Sequence, residues 1–580
     1  MRKLLPFLKP YKTALMGVLL LTFSLTLGTL YLPTLTADIV NNGVIKGDIT
    51  FIIKTGFVMM LISALTGAVT VWNNHLTTSL STRLARDIRE AVFVKSQSLS
   101  VCDFNKIGTA SLITRATSDV TLIGDTILMF ILMLLPAPVM AIGGLFLAFS
   151  KDRILALIIV ASTALFLLLA ALLGKRVIPL FKLFQSKMDN INRTLRETLL
   201  GVRVIRAFHR ETYEKDKVDA ASFDYANNAI KINKILAILQ PIAMMIINMG
   251  IIGILWLGGI RAADGAVQIG DIMAMVEYCF LILIFLIMGV LMFIYLPRAQ
   301  ACADRINEVL LLPSEITDQA TSGSYGKEYA HLEFRNVTFQ YPDAEQPVLS
   351  NLNFEAKSGE VTAIIGGTGA GKSTVANLIL RFFEIQNGSI LMDGLDIRDI
   401  SQKELRDKIG YVPQKTFLFS GTVSDNIRYG MENALQEQLE KAAQVAQAHE
   451  FIREMEQGYS SHIEQGGNNL SGGQKQRLAI ARALLRKPEL YIFDDSFSAL
   501  DFNTDAKLRS ALRKETGAST VIIIAQRVST IMDADRIIVL EDGKIAGIGK
   551  HTDLLNNCTL YRQIAESQLS EEELTNPGTN

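Results

Sequence analysis

Long apolar runs fill the first half of the chain and are absent from the second. Six of them, near 14–40, 51–75, 124–149, 154–174, 233–258 and 271–297, reach the roughly 20 residues a helix needs to cross a bilayer core of about 30 Å. Short polar joins at 41–50, 151–153 and 259–270 alternate with two long segments, at about 76–123 and 175–232. The long segments carry Arg83, Arg86, Arg89, Lys175, Arg176, Arg193, Arg196, Arg203, Arg206 and Arg210. Basic residues close to span ends mark the cytoplasmic side, so both segments and both termini are expected there. Met188, Ile191, Leu195, Leu199, Val202, Ile205 and Phe208 recur at steps of three or four, the period of one helix face. The spans are therefore predicted to continue as helices beyond the membrane. Within the long segments, 108–118 and 200–211 are expected either to dock on a soluble domain or to be solvated bends. The basic start could suggest a signal peptide, but the run that follows is long and lacks a clear small-residue cleavage site. A retained first span is expected, with an interfacial elbow at 4–11.

The pattern changes after residue 312. A polar stretch at 313–330 breaks the helical period and reads as a linker. Beyond it, Leu332-Glu333-Phe334 and Val337-Thr338-Phe339 alternate as strands, and Val361-Thr362-Ala363-Ile364-Ile365 is a buried strand ending in glycines. Gly366-Gly367-Thr368-Gly369-Ala370-Gly371-Lys372-Ser373-Thr374 follows and opens a helix, the order of a phosphate-binding loop. Gly366, Gly369 and Gly371 let backbone N–H groups close around phosphates, and the helix beginning at Lys372 directs its positive end at them. Lys372 supplies a point charge for the β and γ phosphates. Ser373 offers a hydroxyl to Mg²⁺, and Asp494, ending the apolar run Leu490-Tyr491-Ile492-Phe493, holds the same ion. Tyr341, before Pro342, is a candidate platform for an adenine ring, or a core aromatic of its strand. Leu470-Ser471-Gly472-Gly473-Gln474 precedes a helix and forms a second anion site at its start. The chain already has one phosphate cradle, so this spare site is expected to receive a phosphate held by another subunit.

Composition adds limits. The chain has 580 residues, 49% of them hydrophobic, and a formal net charge of zero, which points to a membrane-embedded portion and away from nucleic acid as a partner. Its four cysteines are widely separated, so no disulfide framework is expected. The fold class is an α-helical six-span transmembrane domain (1–312) and a linker (313–330), fused to an α/β P-loop nucleotide-binding domain (331–568) with a polar tail (569–580). Within the spans, Gln240 and Glu277 are candidate groups on a substrate path, Glu277 alternatively being hydrated near the outer interface. Met244, Met245, Phe280 and Phe285 either form an adaptable apolar pocket or face lipid.

Through these motifs the chain resembles an ATP-binding cassette exporter half-transporter over nearly all its length. The resemblance implies two halves in the bilayer, with ATP between the P-loop of one and the signature 470–474 of the other. It implies that Ser498-Ala499-Leu500-Asp501 is the loop by which the two sites sense one another, and that Gln414 reaches the metal and the attacking water. Three positions depart from the family pattern. Asp495 stands where a catalytic glutamate is the rule. Gln526 stands where a switch histidine is the rule, with no histidine between His462 and His551. Gln465 replaces a glutamate in the loop before the signature. The first two departures resemble the degenerate-site subunit of heterodimeric bacterial multidrug exporters. The resemblance thus implies an ATPase coupled to transport, binding ATP and Mg²⁺, in a bacterial cell membrane with a non-identical second half and a small amphiphilic substrate. A homodimeric lipid or peptide exporter and an ATP-gated channel or regulator are the alternatives.

Overall fold

The computed structural model describes residues 2–293, 295–313, 316, 330–342 and 344–569. Most of the expected linker and nearly all of the expected polar tail lie outside the described residues. The chain divides into two compact units, Met1–Ser98 with Ile107–Leu312, and Leu99–Lys106 with Pro313–Asn580.

The first unit is helical. After a 3₁₀ segment at Arg2–Tyr11 come α1 (Lys12–Asp38), α2 (Ile49–Gln97), α3 (Val101–Ile107), which falls largely in the second unit, α4 (Thr109–Thr114), α5 (Val120–Met129) and α6 (Pro136–Lys151). Then follow α7 (Arg153–Leu200), α8 (Val202–Ala207), α9 (Glu211–Ala263), α10 (Ile269–Met292) and α11 (Leu296–Leu311). Among the described residues six helical stretches are long and apolar enough to cross a membrane. The helices α2, α7 and α9, of 49, 48 and 53 residues, are each about 70–80 Å long at 1.5 Å per residue, well over twice a bilayer core. The predicted helical continuation beyond the spans is therefore present. The apolar spacing over 188–208 is not one helix face, however, because α7 stops at Leu200 and α8 restarts after Gly201. Two joins are also shorter than the pattern suggested, since α9 runs on to Ala263 and α10 begins at Ile269, while the helix after α1 continues to Val44.

Leu30, Met140, Phe166, Ile247, Tyr278, Cys279 and Ile282 form the centre of the apolar core between these helices. The joins at one end are tied by charge. The Asp152 carboxylate caps α7, accepting from the Ile154 and Leu155 amides at 2.9 and 2.8 Å. It also accepts from Arg261 at 2.7 Å. Lys151 lies 3.0 Å from Asp271. All four cysteines are buried and lie outside any disulfide.

The second unit contains β1 (Leu332–Phe339), β2 (Leu349–Ala356), β3 (Val361–Gly366), α12 (Lys372–Ile379), β4 (Asn387–Met392), β5 (Leu395–Asp396), α13 (Gln402–Asp407) and β6 (Ile409–Val412). It continues through β7 (Gly421–Thr422), α14 (Val423–Arg428), α15 (Gln436–Val445), α16 (His449–Glu454), β8 (His462–Ile463), α17 (Gly472–Leu485) and β9 (Leu490–Asp494). The last elements are α18 (Phe502–Glu515), β10 (Thr520–Ile524), β11 (Arg536–Glu541), β12 (Lys544–Gly549), α19 (His551–Asn557) and α20 (Thr559–Glu566). The two alternating runs at 332–334 and 337–339 are one strand, whose register shifts between Phe334 and Val337 and where Asn336 takes φ +51°.

A six-stranded sheet of order β12-β11-β3-β10-β9-β6 forms the centre of this unit. β3 pairs in parallel with β10 and β11, and β9 in parallel with β10 and β6. Successive side chains point to opposite faces, so Tyr491 and Phe493 enter one core while Leu490 and Ile492 enter the other. Burial on both faces is why these strands read as continuous apolar runs in the sequence.

Candidate functional site

Parallel strands β3, β10, β9 and β6 all end at the same edge of the sheet, and the loops leaving that edge carry the candidate residues. Open α/β sheets bind ligands outside the carboxyl ends of their strands. The loop from β3 places Gly367, Thr368 and Gly369 in solvent, with Ala370 and Gly371 buried beneath. Two glycines are required by geometry. A Cβ on Gly366 would stand 2.2 Å from the Leu540 carbonyl oxygen. One on Gly371, at φ +92°, would stand 2.5 Å from Leu349 Cδ2. The loop thus folds back tightly enough for α12 to begin at Lys372.

Lys372 Nζ donates to the Gly366 and Gly367 carbonyls at 2.9 and 2.7 Å. Burial lowers its pKa, opposed by the nearby Asp495 and Asp494 carboxylates. Ser373 Oγ donates to Asp494 Oδ1 at 3.0 Å. Burial raises the Asp494 pKa, against the Ser373 hydrogen bond that lowers it. A hydroxyl and a buried carboxylate side by side are the hard oxygen donors Mg²⁺ takes, the rest of its octahedron coming from water and phosphate. Among the described residues no group of three or more His, Cys, Asp or Glu side chains is placed to hold a metal ion. Ser373 and Asp494 would hold the ion, whose charge would neutralise phosphate oxygens.

Asp495 begins the loop after β9 in a left-handed conformation, φ +48°, one that Asp tolerates better than most residues. Its amide donates to the Ile524 carbonyl at 2.8 Å. Two side-chain amides converge on its Oδ2, Gln414 Nε2 at 3.1 Å and Gln526 Nε2 at 3.0 Å. The structure therefore brings together Asp494, Asp495, Gln414, Gln526 and the P-loop from four separate loops. Gln414 is directed at Asp495 rather than at the Ser373–Asp494 pair. Ser498 Oγ donates to the Asp495 carbonyl at 2.9 Å, and Arg527 Nη2 donates to the Ser498 carbonyl at 3.2 Å.

Tyr341 stands edge-on to Phe339 and Phe383, ring centroids 4.8 and 5.1 Å away. Its hydroxyl is 3.1 Å from that of Thr374, so it is joined to the helix that begins at the P-loop. Ser471 caps α17 in a reciprocal box: its Oγ accepts from the Gln474 amide at 3.3 Å, and Gln474 Oε1 accepts from the Ser471 amide at 2.9 Å. Ser471 and Gly472 are exposed, leaving the positive end of a 14-residue helix open to an anion. Gln465 opens a short 3₁₀ turn, Gln465–Gly467, whose Gly466 amide donates to the Leu418 carbonyl at 2.9 Å. In the first unit, Glu277 is exposed on α10 on a stripe with Met273, Phe280, Met288 and Leu291.

Sequence reasoning missed Gln568, which donates to the Gln526 carbonyl at 2.9 Å and accepts from the Val528 amide at 2.8 Å. Only a polar residue at the end of an amphipathic terminal helix marked it. The role of Arg527 as a bridge to Ser498 was equally invisible.

A phosphate loop, a paired hydroxyl and carboxylate and a second open helix start, on a chain with six apolar spans, define a membrane transporter driven by a nucleotide. Two family profiles match, "ABC transporter transmembrane region" over residues 15–287 and "ABC transporter" over residues 349–498. An uncharacterized ABC transporter ATP-binding protein of Mycobacterium tuberculosis is 38% identical over 569 residues, covering 97% of each chain. An ATP-dependent lipid A-core flippase of Syntrophus aciditrophicus is 32% identical over 528 residues, 89% of this chain and 86% of that one. The solved structure of a bacterial Atm1-family ABC exporter with ATP bound superposes with TM-score 0.83 at 26% identity, over 97% of this chain and 99% of the other. The chain belongs to the ABC transporter family, as an exporter half-transporter with its transmembrane region fused to its nucleotide-binding domain. It is a multi-pass membrane protein of a family that acts as dimers, binds ATP and couples its hydrolysis to transport.

Proposed function

We propose that this chain is one half of an asymmetric exporter, paired with a different half, and that its own Walker site binds Mg-ATP but turns it over slowly. The observation that carries the reading is the Asp495 carboxylate, one methylene shorter than the family's glutamate and held at a single oxygen by Gln414 and Gln526. The missing methylene retracts the carboxylate by about 1.5 Å, and a general base must reach within about 2.6–3.2 Å of its water. Gln526 can donate a hydrogen bond to a γ-phosphate, but it carries no imidazolium charge and shuttles no proton. In this reading the P-loop 366–374, Tyr341 and Asp494 hold the nucleotide and its metal, Gln414 stands against Asp495, and Ser471 to Gln474 complete the competent site of the other half. The termini and nucleotide domain are cytoplasmic in this reading.

The exported class is small amphiphiles, drugs or lipids. Lipid receives support from the flippase relative, whose name gives lipid A-core as its cargo. The Met and Phe stripe beside Glu277 on α10 supports an amphiphile, because flexible Met side chains accommodate varied apolar shapes. The deciding experiment is ATPase activity of the purified dimer carrying Asp495→Asn, beside one carrying the corresponding carboxylate-to-amide change in the other half. The asymmetric reading expects a mild loss from the first and near-complete loss from the second. Equal and complete losses, or a dimer of two identical chains with full activity, would show Asp495 to be a working base.

A further inference from the structure

The loop that carries Gln526 is held from outside the nucleotide site by the last described turn of the chain. Gln568 grips it at two main-chain points, donating through Nε2 to the Gln526 carbonyl at 2.9 Å and accepting at Oε1 from the Val528 amide at 2.8 Å. Both ends of one side-chain amide are thus spent on either side of Arg527. The grip has a rigid base. Tyr561 and Ala565 of α20 are buried, the Tyr561 hydroxyl lies 2.7 Å from His551 Nδ1, and Leu569 packs against the core. The Gln568 and Leu569 amides both return to the Ala565 carbonyl, at 3.0 and 2.8 Å.

What the grip fixes is chemical. From the held backbone, Gln526 Nε2 reaches Asp495 Oδ2 at 3.0 Å, and Arg527 reaches the Ser498 carbonyl at 3.2 Å. Ser498 in turn bonds the Asp495 carbonyl at 2.9 Å. Gln568, the Gln526 loop, Ser498 and Asp495 therefore form one continuous chain of hydrogen bonds, from the C-terminal helix to the carboxylate beside the P-loop.

We infer that Gln568 is a positioning residue for the ATPase, a two-point clamp by which the C-terminal helix sets the Gln526 loop and, through Arg527, the Ser498 loop. This rests on the family's ATPase activity and not on the asymmetry proposed above. The clamp reaches both Asp495 and the Ser498 loop, so its effect is read in the turnover of the whole dimer, whichever site is faster.

The test uses the full-length protein in its assembled dimer, with Gln568→Ala and Gln568→Glu. Glu keeps an acceptor for Val528 and loses the donor to Gln526, separating the two contacts. Amide hydrogen exchange over 521–531, measured without nucleotide, is expected to accelerate at Val528 in the Ala variant and to remain slow in the Glu variant. Steady-state turnover is expected to fall roughly five- to tenfold in the Ala variant, since misplacement of reacting groups by about 1 Å can cost about 100-fold. The KM for ATP should stay within twofold, because the P-loop is untouched, and Gln568→Glu should lose turnover while keeping Val528 protected. Unchanged exchange in the Ala variant would overturn the clamp. Faster exchange with turnover within twofold of the parent would overturn its positioning role. A rise in KM accompanied by a lower melting temperature would assign Gln568 to general stability instead.

Discussion

If this chain's site is the slow one proposed above, replacing Asp495 by Glu should lengthen the reach of its carboxylate and speed it. Asp495 Oδ2 sits 3.1 Å from Gln414 Nε2 and 3.0 Å from Gln526 Nε2, and the added methylene would carry the carboxylate about 1.5 Å farther. If about 1 Å of misplacement costs about 100-fold, the recoverable barrier is about 2.7 kcal/mol. Part of that is offset because the longer side chain leaves the two amides that hold Asp495. The expectation is therefore a gain of about tenfold for the single change, rising toward 100-fold when Gln526→His supplies a titratable ring. A cost in stability should accompany it, since the residue sits at φ +48°, where Asp is better tolerated than Glu. The assay is single-turnover phosphate release from the dimer, with the other half's catalytic carboxylate neutralised so that only this chain's site reports. A rate that stays flat or drops in both variants, with ATP still bound, would refute the geometric account of the slow site.

Three further outcomes are expected. Lys372→Ala removes a cation that contacts only its own P-loop, and hydrogen bonds to charged groups are worth about 1.5–3 kcal/mol. Photolabelling of this chain by an ATP analogue should weaken roughly 10- to 100-fold while the other half remains labelled; the opposite pattern would mean the sites are assigned backwards. Ser471→Arg places bulk and charge at the exposed start of α17, where the other half's γ-phosphate would dock, and should remove most ATPase activity; tolerance of the change would exclude that docking. Burial holds the His551 pKa below its ordinary 6.5, against the pull of Asp533. The neutral ring is therefore the favoured folded form, and its stabilisation is fully present above pH 6.5. It is lost as pH falls toward the folded value, because the unfolded chain takes up the proton first. Melting temperatures of the parent should drop more steeply between pH 7 and 5 than those of His551→Gln, and parallel slopes would remove His551 from the acid response.

The membrane half was legible because its signal is long and redundant: a run of about 20 apolar residues between basic flanks matches the thickness of a bilayer core and exceeds what most buried helices need. The strands β3 and β9 were legible for a related reason, their burial on both faces of the sheet. The P-loop could be read because glycine is forced at Gly366 and Gly371 by contacts that leave no space for a Cβ. What failed was local continuity. Gly201 ends α7 although the apolar spacing runs straight through it, because periodicity records which face is apolar and not whether the backbone pauses. Asn336 likewise joins two apparent strands by a register shift. The contacts of Asp495 were unreadable, because Gln414 and Gln526 meet it across sequence separations of 81 and 31 residues. Gln568 was further hidden because it acts on main-chain atoms, which have no letter in a sequence.

The great length of α2, α7 and α9 carries a mechanical consequence. A rod of about 70 Å that tilts by only about 5° about one end displaces its other end by about 6 Å, slightly more than one helical turn of about 5.4 Å. Modest rotations can thus be converted into large strokes without any helix having to stretch or unwind. Pro179 and Pro241 lie inside two of the three rods, at positions where a missing backbone donor softens the column. The third, α2, has no such joint and would transmit its stroke whole, making it the stiff member of a linkage whose other two arms can flex.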